Sequence, residues 1–147
     1  MYFLNDISII IPTKDRPEKI KRLLSNISTF NPAVNQVIVI SSGSDISELI
    51  NLFKSKFNLI HIHTSPGQIN QRNVGIKNLN KETKLVATFD DDIILYKDSL
   101  NNILKFWNKV EKDTAGVGFN VVNYGSNKKD RNYFNKLIKN IILNQDT

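Results

Sequence analysis

The feature that most constrains the fold of this chain is a regular alternation between two kinds of apolar pattern. Short runs of β-branched and other apolar residues have the length of buried strands. Between these runs, apolar residues recur at the i, i+3, i+4, i+7 spacing that places them on one face of a helix. The strand-like runs are Ile7–Ile11, Val37–Ile40, Leu59–Ile62, Leu85–Phe89 and Val117–Val122.

The helical stripes and the signals that precede them complete the prediction. Asp15 with Glu18, and Asp45 with Glu48, have the spacing of capping boxes. Pro17 is compatible with the first turn of a helix. Alternating strands and helices predict an α/β protein with a mostly parallel, doubly wound sheet flanked by helices. The stripes are Ile20–Ile27, Ile46–Phe53, Leu100–Trp107 and Phe134–Ile141.

Length and composition favour one ordinary globular domain over residues 1–147. No apolar run approaches the roughly 18 residues that a membrane span needs. The opening Met1–Leu4 lacks the basic segment of a signal peptide. The absence of cysteine fits a reducing compartment. We therefore expect a cytoplasmic protein. Any association with a membrane would be peripheral, at the inner face of the cell membrane.

The chain is basic, with a net charge of +6. A basic surface favours a nucleotide diphosphate, an anionic membrane face or nucleic acid. Lysines outnumber arginines sixteen to four, and aromatic residues do not interleave with them in a basic patch. We therefore expect no nucleic-acid partner.

The most informative motif is the acidic triplet Asp90-Asp91-Asp92, which follows the fourth apolar run. Ligands of open α/β sheets bind at the carboxyl ends of the strands. Two carboxylates about 4 Å apart repel by about 4 kcal/mol at an effective dielectric of about 20, and Mg²⁺ or Mn²⁺ would relieve that repulsion through oxygen ligands. In a strand-like geometry Asp90 and Asp92 point one way and Asp91 the other. The triplet indicates a metal site, with a solvated turn as the alternative.

A second candidate is the segment Gly67–Gly75, which leads into a predicted helix. Ile69 and Ile76 flank Arg72 and Asn73 at helical spacing, so we expect these four on an inward face. A buried arginine needs a polar partner. A phosphate group and one of the three aspartates suit it equally well.

Two histidines are weaker candidates. His61 and His63 alternate within the third predicted strand and share a face. Two histidines without a third ligand are a weak metal signal, so we interpret them as ordinary strand positions. The chain also lacks a P-loop and a nucleophile elbow.

Four segments, in matching order and phase, resemble the family-two glycosyltransferases of the GT-A fold. Gly67–Gly75 is similar to the family's Gly…Ala-Arg-Asn-x-Gly segment, with Gln71 in place of alanine. Phe89–Asp92 resembles the DXD motif. The resemblance covers about residues 7 to 110 and implies a Rossmann-like GT-A fold. The remaining segments are Ser8–Pro17 (SIIIPTKDRP) and Val37–Ser44 (VIVISSGS), where the family has a strand that ends in Asp-Asp-Gly-Ser.

The resemblance also implies roles for individual residues. Thr13 and Asp15 would hold the nucleotide base, and Arg72 would lie beside the nucleotide. Ser42 replaces a base-contacting aspartate of the family, so uracil would be recognised less selectively. A metal ion, Mn²⁺ or Mg²⁺, would be bound by Asp92 and Asp90. The residues implied to bind the nucleotide sugar are Pro12, Thr13, Asp15, Arg16, Ser42, Arg72, Asn73, Asp90 and Asp91.

The implied activity is inverting, metal-dependent transfer of a sugar from a nucleotide diphosphate sugar to an acceptor hydroxyl. Its setting would be cell-surface glycan or polysaccharide synthesis, with a glycan or a lipid-linked molecule as the acceptor. The 55 residues after Asp92 are fewer than the family's acceptor-binding elements occupy. We therefore expect residues 1–147 to form the nucleotide-sugar-binding domain without the C-terminal acceptor-binding part, and to be prone to self-association.

No general base is assigned from the sequence, because the remaining acidic residues are better explained as helix or loop surface. These residues are Asp98, Glu111, Asp113 and Asp130.

Two other functions are compatible with the same fold. One is a non-catalytic nucleotide-binding domain. The other is a sugar nucleotidyltransferase. Such enzymes carry a glycine-rich, arginine-containing loop after the first strand, and Pro12–Arg16 of this chain does not match that loop.

Overall fold

A computed structural model describes residues 1–111 and 113–119 of the chain. Met1–Asp113 form one compact unit, and a second unit, Thr114–Thr147, is described over residues 114–119, which have no regular secondary structure. Residues 117–119 of the strand expected at Val117–Val122 are thus not in a strand. The rest of that segment, the helix expected at Phe134–Ile141 and Asp130 lie outside the described residues.

Four strands form an all-parallel sheet in the first unit. The order across the sheet is β3-β2-β1-β4. The four strands expected in this part of the chain are all confirmed, and β1 runs three residues beyond its apolar run. The strands are β1 (Ile7–Lys14), β2 (Gln36–Ser42), β3 (Leu59–His63) and β4 (Leu85–Thr88).

Helices cover both faces of this sheet, which confirms the doubly wound α/β class. The apolar faces of α1, α2 and α4 pack with Ile9, Ile11 and Val39 in the main core. Helix α3 packs on the other face, where Val74 joins Ile10 and Ile40. Among the described residues, no helix is long and apolar enough to cross a membrane. The helices are α1 (Pro17–Ile27), α2 (Ser47–Asn51), α3 (Gln68–Lys77) and α4 (Ser99–Trp107).

The strand order creates a switch point between β1 and β4. The chain moves outward from β1 through β2 to β3, and α3 then returns it to β4 on the other side of β1. The connections on the two sides of this point therefore leave on opposite faces of the sheet. A crevice at the carboxyl ends of the strands is expected at such a point.

Neither expected capping box forms. Helix α1 begins at Pro17 after Arg16, whose side chain makes no capping hydrogen bond. The Asp15 carboxylate instead accepts hydrogen bonds from Ser44, 29 residues away. Asp45 accepts from the backbone and hydroxyl of Ser47, so it stabilises a local turn before α2. Pro17 does occupy the first turn, as expected.

The inward face of α3 differs from the expected one. Ile69 and Ile76 are 77% and 52% exposed, while Gln71 and Gly75 are buried. The cause is close packing, because a Cβ on Gly75 would lie 2.5 Å from Ile10 Cγ2. The helix can approach the sheet this closely only along a face that carries glycine. The isoleucines are therefore turned away from the sheet.

Candidate functional site

A cleft of about 390 Å³ opens at the carboxyl ends of β1 and β4. It lies at the switch point of the sheet, where ligands of such folds bind. Its walls come from the end of β1, the start of α3 and the acidic triplet. The lining residues are Pro12, Thr13, Lys14, Arg16, Gly67, Gln68, Gln71, Asp90, Asp91 and Asp92.

Asp91 is the buried member of the acidic triplet, only 5% exposed. Its Oδ2 accepts a hydrogen bond of 2.7 Å from Thr13 Oγ1. Its Oδ1 accepts one of 3.1 Å from the Arg16 guanidinium. Both carboxylate oxygens are thus engaged by the chain itself, which allows the charge to be buried. Asp91 therefore holds Thr13 and Arg16 in place at the floor of the cleft.

Asp90 is exposed, and its carboxylate contacts two side chains of α3. Arg72 contacts its Oδ1 at 2.9 Å, and Gln68 Nε2 donates to the same oxygen at 3.2 Å. Arg72 thus forms the structural ion pair that was one of its two expected roles. The Arg72 Nε is buried and has no hydrogen-bond partner among the described residues.

Asp92 is exposed, and its carboxylate forms ion pairs with Lys19 of α1 and with Arg16, the residue that precedes α1. Its Oδ2 lies 3.3 Å from Lys19 Nζ and 3.6 Å from the Arg16 guanidinium. Asp90 and Asp92 therefore pair with cations on opposite faces of the sheet, since α3 and α1 flank different faces. The expectation that these two carboxylates point the same way assumed a strand-like geometry, which the triplet does not have, because β4 ends at Thr88 and Asp91 and Asp92 lie in a turn.

Gln71 is a site residue whose role the sequence did not reveal. Its side-chain amide donates to the Thr13 carbonyl oxygen and to the Ile40 carbonyl oxygen, both at 2.8 Å. These carbonyls lie near the ends of β1 and β2, so Gln71 fixes the spacing of the two strands at the cleft. The only sequence signal was the departure from alanine at this position in the resembling segment.

Lys14 lines the cleft and was not among the expected site residues. It is exposed and pairs in register with Ser42 across β1 and β2. Ser42 is 1% exposed, and its hydroxyl has no hydrogen-bond partner among the described residues. Ser42 therefore lies beside the cleft without lining it.

Asp15 also lies outside the cleft lining. Its Oδ1 accepts from the Ser44 backbone N–H at 2.8 Å and from the Ser44 hydroxyl at 2.9 Å. These bonds, the backbone one most strongly, hold the pKa of the Asp15 carboxyl below its ordinary value. Gly43 is at φ 84°, and a Cβ there would overlap the Asp15 carboxylate. The loops after β1 and β2 are therefore locked together at this point.

The two histidines lie at the other side of the sheet. His61 Nε2 is 2.8 Å and His63 Nδ1 is 3.2 Å from the buried Ser41 hydroxyl. Burial is the main cause that lowers the pKa of His61. Neither histidine lines the cleft.

The structure brings together six of the expected site residues and separates four. Asn73 is exposed on α3, and Arg72 reaches the cleft only through its ion pair with Asp90. Asp15 and Ser42 lie next to the cleft, as described above. The six that line it are Pro12, Thr13, Arg16, Asp90, Asp91 and Asp92.

The carboxylate oxygens of the cleft fit a hard divalent cation that takes only one or two of its ligands from the protein. In the described part of the chain, no three histidine, cysteine, aspartate or glutamate side chains are grouped to hold a metal. Mg²⁺ needs only one or two carboxylates when phosphate and water oxygens complete its shell. Asp92 Oδ1 and Asp90 Oδ2 make no hydrogen bond or ion pair with the described residues. Asp92 is therefore the first candidate ligand and Asp90 the second.

Comparison with known structures shows the same fold. A crystal structure of S. aureus TarS 1-349 aligns with a TM-score of 0.62 at 21% identity, covering 77% of this chain and 38% of that one. A crystal structure of S. aureus TarS 1-349 in complex with UDP aligns with a TM-score of 0.60 at 22% identity, covering 70% and 32%. This chain thus spans less than half the length of the structures it matches, and the likeness establishes the GT-A fold.

Sequence comparison supplies the family. No curated protein matches the chain. The family model described as glycosyl transferase family 2 matches residues 8–147, which is nearly the whole sequence. The cleft lies within this matched region. The chain therefore belongs to glycosyl transferase family 2.

Proposed function

We propose that this chain binds the donor of a glycosyltransferase, a nucleoside diphosphate sugar with UDP as the carrier. The observation that carries the proposal is the cleft that joins the end of β1 to Asp90–Asp92, in a chain of glycosyl transferase family 2. The choice of UDP is supported by the similar structure that is in complex with UDP. Family membership alone does not specify the carrier.

The charges around the cleft support an orientation for the donor. Arg16 and Lys19 cluster with Asp92 on the β4 side. Cations and a divalent ion are what a diphosphate needs, so we place the diphosphate on that side. The nucleoside then extends toward the ends of β1 and β2, where Thr13 and Lys14 line the cleft.

In this proposal Asp92 holds Mn²⁺ or Mg²⁺, with Asp90 as the second carboxylate. The ion would stabilise the negative charge that develops on the leaving diphosphate. Lys19, which pairs with Asp92, would turn its charge toward the phosphates, while Arg16 would add its positive charge from its place beside Asp91. Asp91 would stay with Thr13 and Arg16, because both of its oxygens are engaged.

The transfer itself is proposed to proceed with inversion. The acceptor hydroxyl forms a bond to the anomeric carbon, the bond to the diphosphate oxygen breaks, and a general base takes the hydroxyl proton. Asp91 does not serve as that base, since its oxygens are buried and occupied. The acceptor is proposed to be a glycan or a lipid-linked molecule in cell-surface polysaccharide synthesis.

Calorimetric titration of the 147-residue chain with UDP tests this proposal. We expect binding with Mn²⁺ present and at least tenfold weaker binding, about 1.4 kcal/mol, either in excess EDTA or after Asp92→Asn. Glu82→Gln is the matched control, because Glu82 is exposed and precedes β4 at the opposite end of the strand. Equal affinity with and without the metal, in a folded protein, would contradict the metal-assisted donor site.

A further inference from the structure

We infer that Lys14 recognises the base of the donor and selects a base that presents a carbonyl oxygen over one that presents an amino group. This inference rests on the proposed function, because it concerns the nucleoside side of the same cleft. It assigns to Lys14 a role in specificity that neither the acidic triplet nor the resemblance supplies.

The first observation is that Lys14 makes no ion pair in the described part of the chain, although its charge helps to lower the pKa of Asp15. Three other cations at the cleft, Arg16, Lys19 and Arg72, each lie within 4 Å of an aspartate of the triplet. Lys14 makes no ion pair and no side-chain hydrogen bond among the described residues, although it lines the same cleft. Its ammonium is therefore available to a ligand.

The second observation is the neighbour of Lys14 in the sheet. Lys14 and Ser42 are in register in adjacent parallel strands, so their side chains leave the same face of the sheet. A carboxylate at position 42 would be placed to pair with the ammonium, whereas a serine hydroxyl leaves the charge in place. The Ser42 hydroxyl itself lacks a partner among the described residues. Because Ser42 is buried and does not line the cleft, Lys14 is the donor that this end of the cleft presents to a ligand.

The third observation concerns the carboxylate that follows Lys14 in the chain. Asp15 directs Oδ1 to the backbone and hydroxyl of Ser44. Lys14 is more than 4 Å from it, since no ion pair forms between the two. Asp15 therefore does not hold the Lys14 ammonium away from the cleft.

The chemistry of the ammonium then decides which base it favours. Lysine offers three donors and no acceptor. Uracil and cytosine share the carbonyl at ring position 2. They differ at position 4, where uracil has a carbonyl acceptor and cytosine an amino donor, and at N3, where uracil has a donor and cytosine an acceptor. A positioned ammonium would bond the carbonyl and would face the amino group donor to donor. Sites that match a hydrogen-bonding group discriminate strongly against an analogue that lacks it.

The test compares UDP with CDP, whose bases differ at ring position 4 and at the neighbouring N3. Calorimetry of the full chain with Mn²⁺ is expected to show UDP binding about tenfold more tightly than CDP, a difference of about 1.4 kcal/mol. Lys14→Met should reduce that ratio to below about threefold, mainly by weakening UDP. Lys14→Arg, which keeps a donor cation, should preserve the preference. Lys21→Met is the matched control, since Lys21 is exposed on α1 and away from the cleft lining.

Each outcome has a definite meaning. If Lys14→Met weakens UDP and CDP by the same factor, the ammonium contacts the phosphates or the ribose and the inference is wrong. A wild-type chain that binds both nucleotides equally also overturns it, while leaving the proposed function standing. A folded wild-type chain that binds neither nucleotide contradicts the proposed function itself. Circular dichroism of each variant separates these results from a failure to fold.

Discussion

Gln71 and Thr13 connect α3 to the end of β1. The Gln71 amide donates to the Thr13 carbonyl oxygen at 2.8 Å, and the Thr13 hydroxyl donates to Asp91 at 2.7 Å. The same Gln71 amide also donates to the Ile40 carbonyl oxygen of β2. One continuous set of hydrogen bonds thus joins α3, two strand ends and the acidic triplet. The shape of the cleft depends on this set.

Gln71→Ala should therefore destabilise the protein. The change leaves two buried strand-end carbonyls without their side-chain donor, and an unsatisfied buried polar group costs about 1–3 kcal/mol. We expect a loss of about 2 kcal/mol in the free energy of unfolding, measured by urea denaturation. Gln68→Ala is the control, because Gln68 is exposed and makes one 3.2 Å bond to Asp90. Equal stability of the two variants would show that the Gln71 bridge is unimportant.

Gly75→Ala should destabilise the packing of α3 on the sheet. The added Cβ would lie 2.5 Å from Ile10 Cγ2 and 3.0 Å from Ile40 Cδ1. Overpacking costs about 1–3 kcal/mol, whereas the gain in helix propensity from glycine to alanine is about 1 kcal/mol. The branched isoleucines have little freedom to move aside, so we expect a net loss of stability.

The control for this change is Gly116→Ala, since among the described residues no atom beyond its chain neighbours lies within 4 Å of the added Cβ there. Thermal unfolding of both variants provides the comparison. A Gly75→Ala variant that melts at or above the wild-type temperature would mean that α3 can move away from the sheet at no cost.

The Asp15–Ser44 contact predicts a specific pH dependence. Hydrogen bonds from Ser44 lower the pKa of Asp15 in the folded chain below the ordinary 3.8. A carboxyl whose folded pKa is lowered stabilises the fold above its unfolded pKa and loses that contribution as the pH falls through the folded value. Asp15→Asn should therefore be less stable than the wild type at pH 6, and the difference should be smaller at about pH 2.

Urea denaturation at both pH values measures this difference. Because both proteins share every other acidic residue, the subtraction isolates Asp15. A difference that stays constant between the two pH values would show that the charge of Asp15 contributes nothing to the contact.

The sequence predicted the strands well because each one contains a short apolar run. Both β1 and β2 are buried along nearly their whole length, so the run itself marks the strand. The face of α3 was not predictable in this way. Apolar periodicity favours Ile69 and Ile76 as the inward residues, whereas the actual contact depends on a glycine and an amide that bonds two carbonyls.

The site was predicted in place but not in detail. The triplet does lie at the end of β4, since strand ends are where polar residues follow apolar runs. Asp90 and Asp92 follow the end of β4 and pair with cations of α3 and α1, which are remote in sequence. Asp15 was expected to cap α1, but it bonds to a loop 29 residues away. Long-range partners of this kind leave no periodic signal.

We propose above that the cleft between β1 and β4 holds a metal-bound nucleotide. Paramagnetic line broadening in the amide NMR spectrum tests it directly, with Mn²⁺ titrated into the isotope-labelled chain in the presence of UDP. We expect the amide signals of Thr13, Asp91 and Asp92 to broaden first, while that of Glu82, before β4, stays sharp. Broadening centred on His61 and His63, or no localised broadening at all, would contradict it.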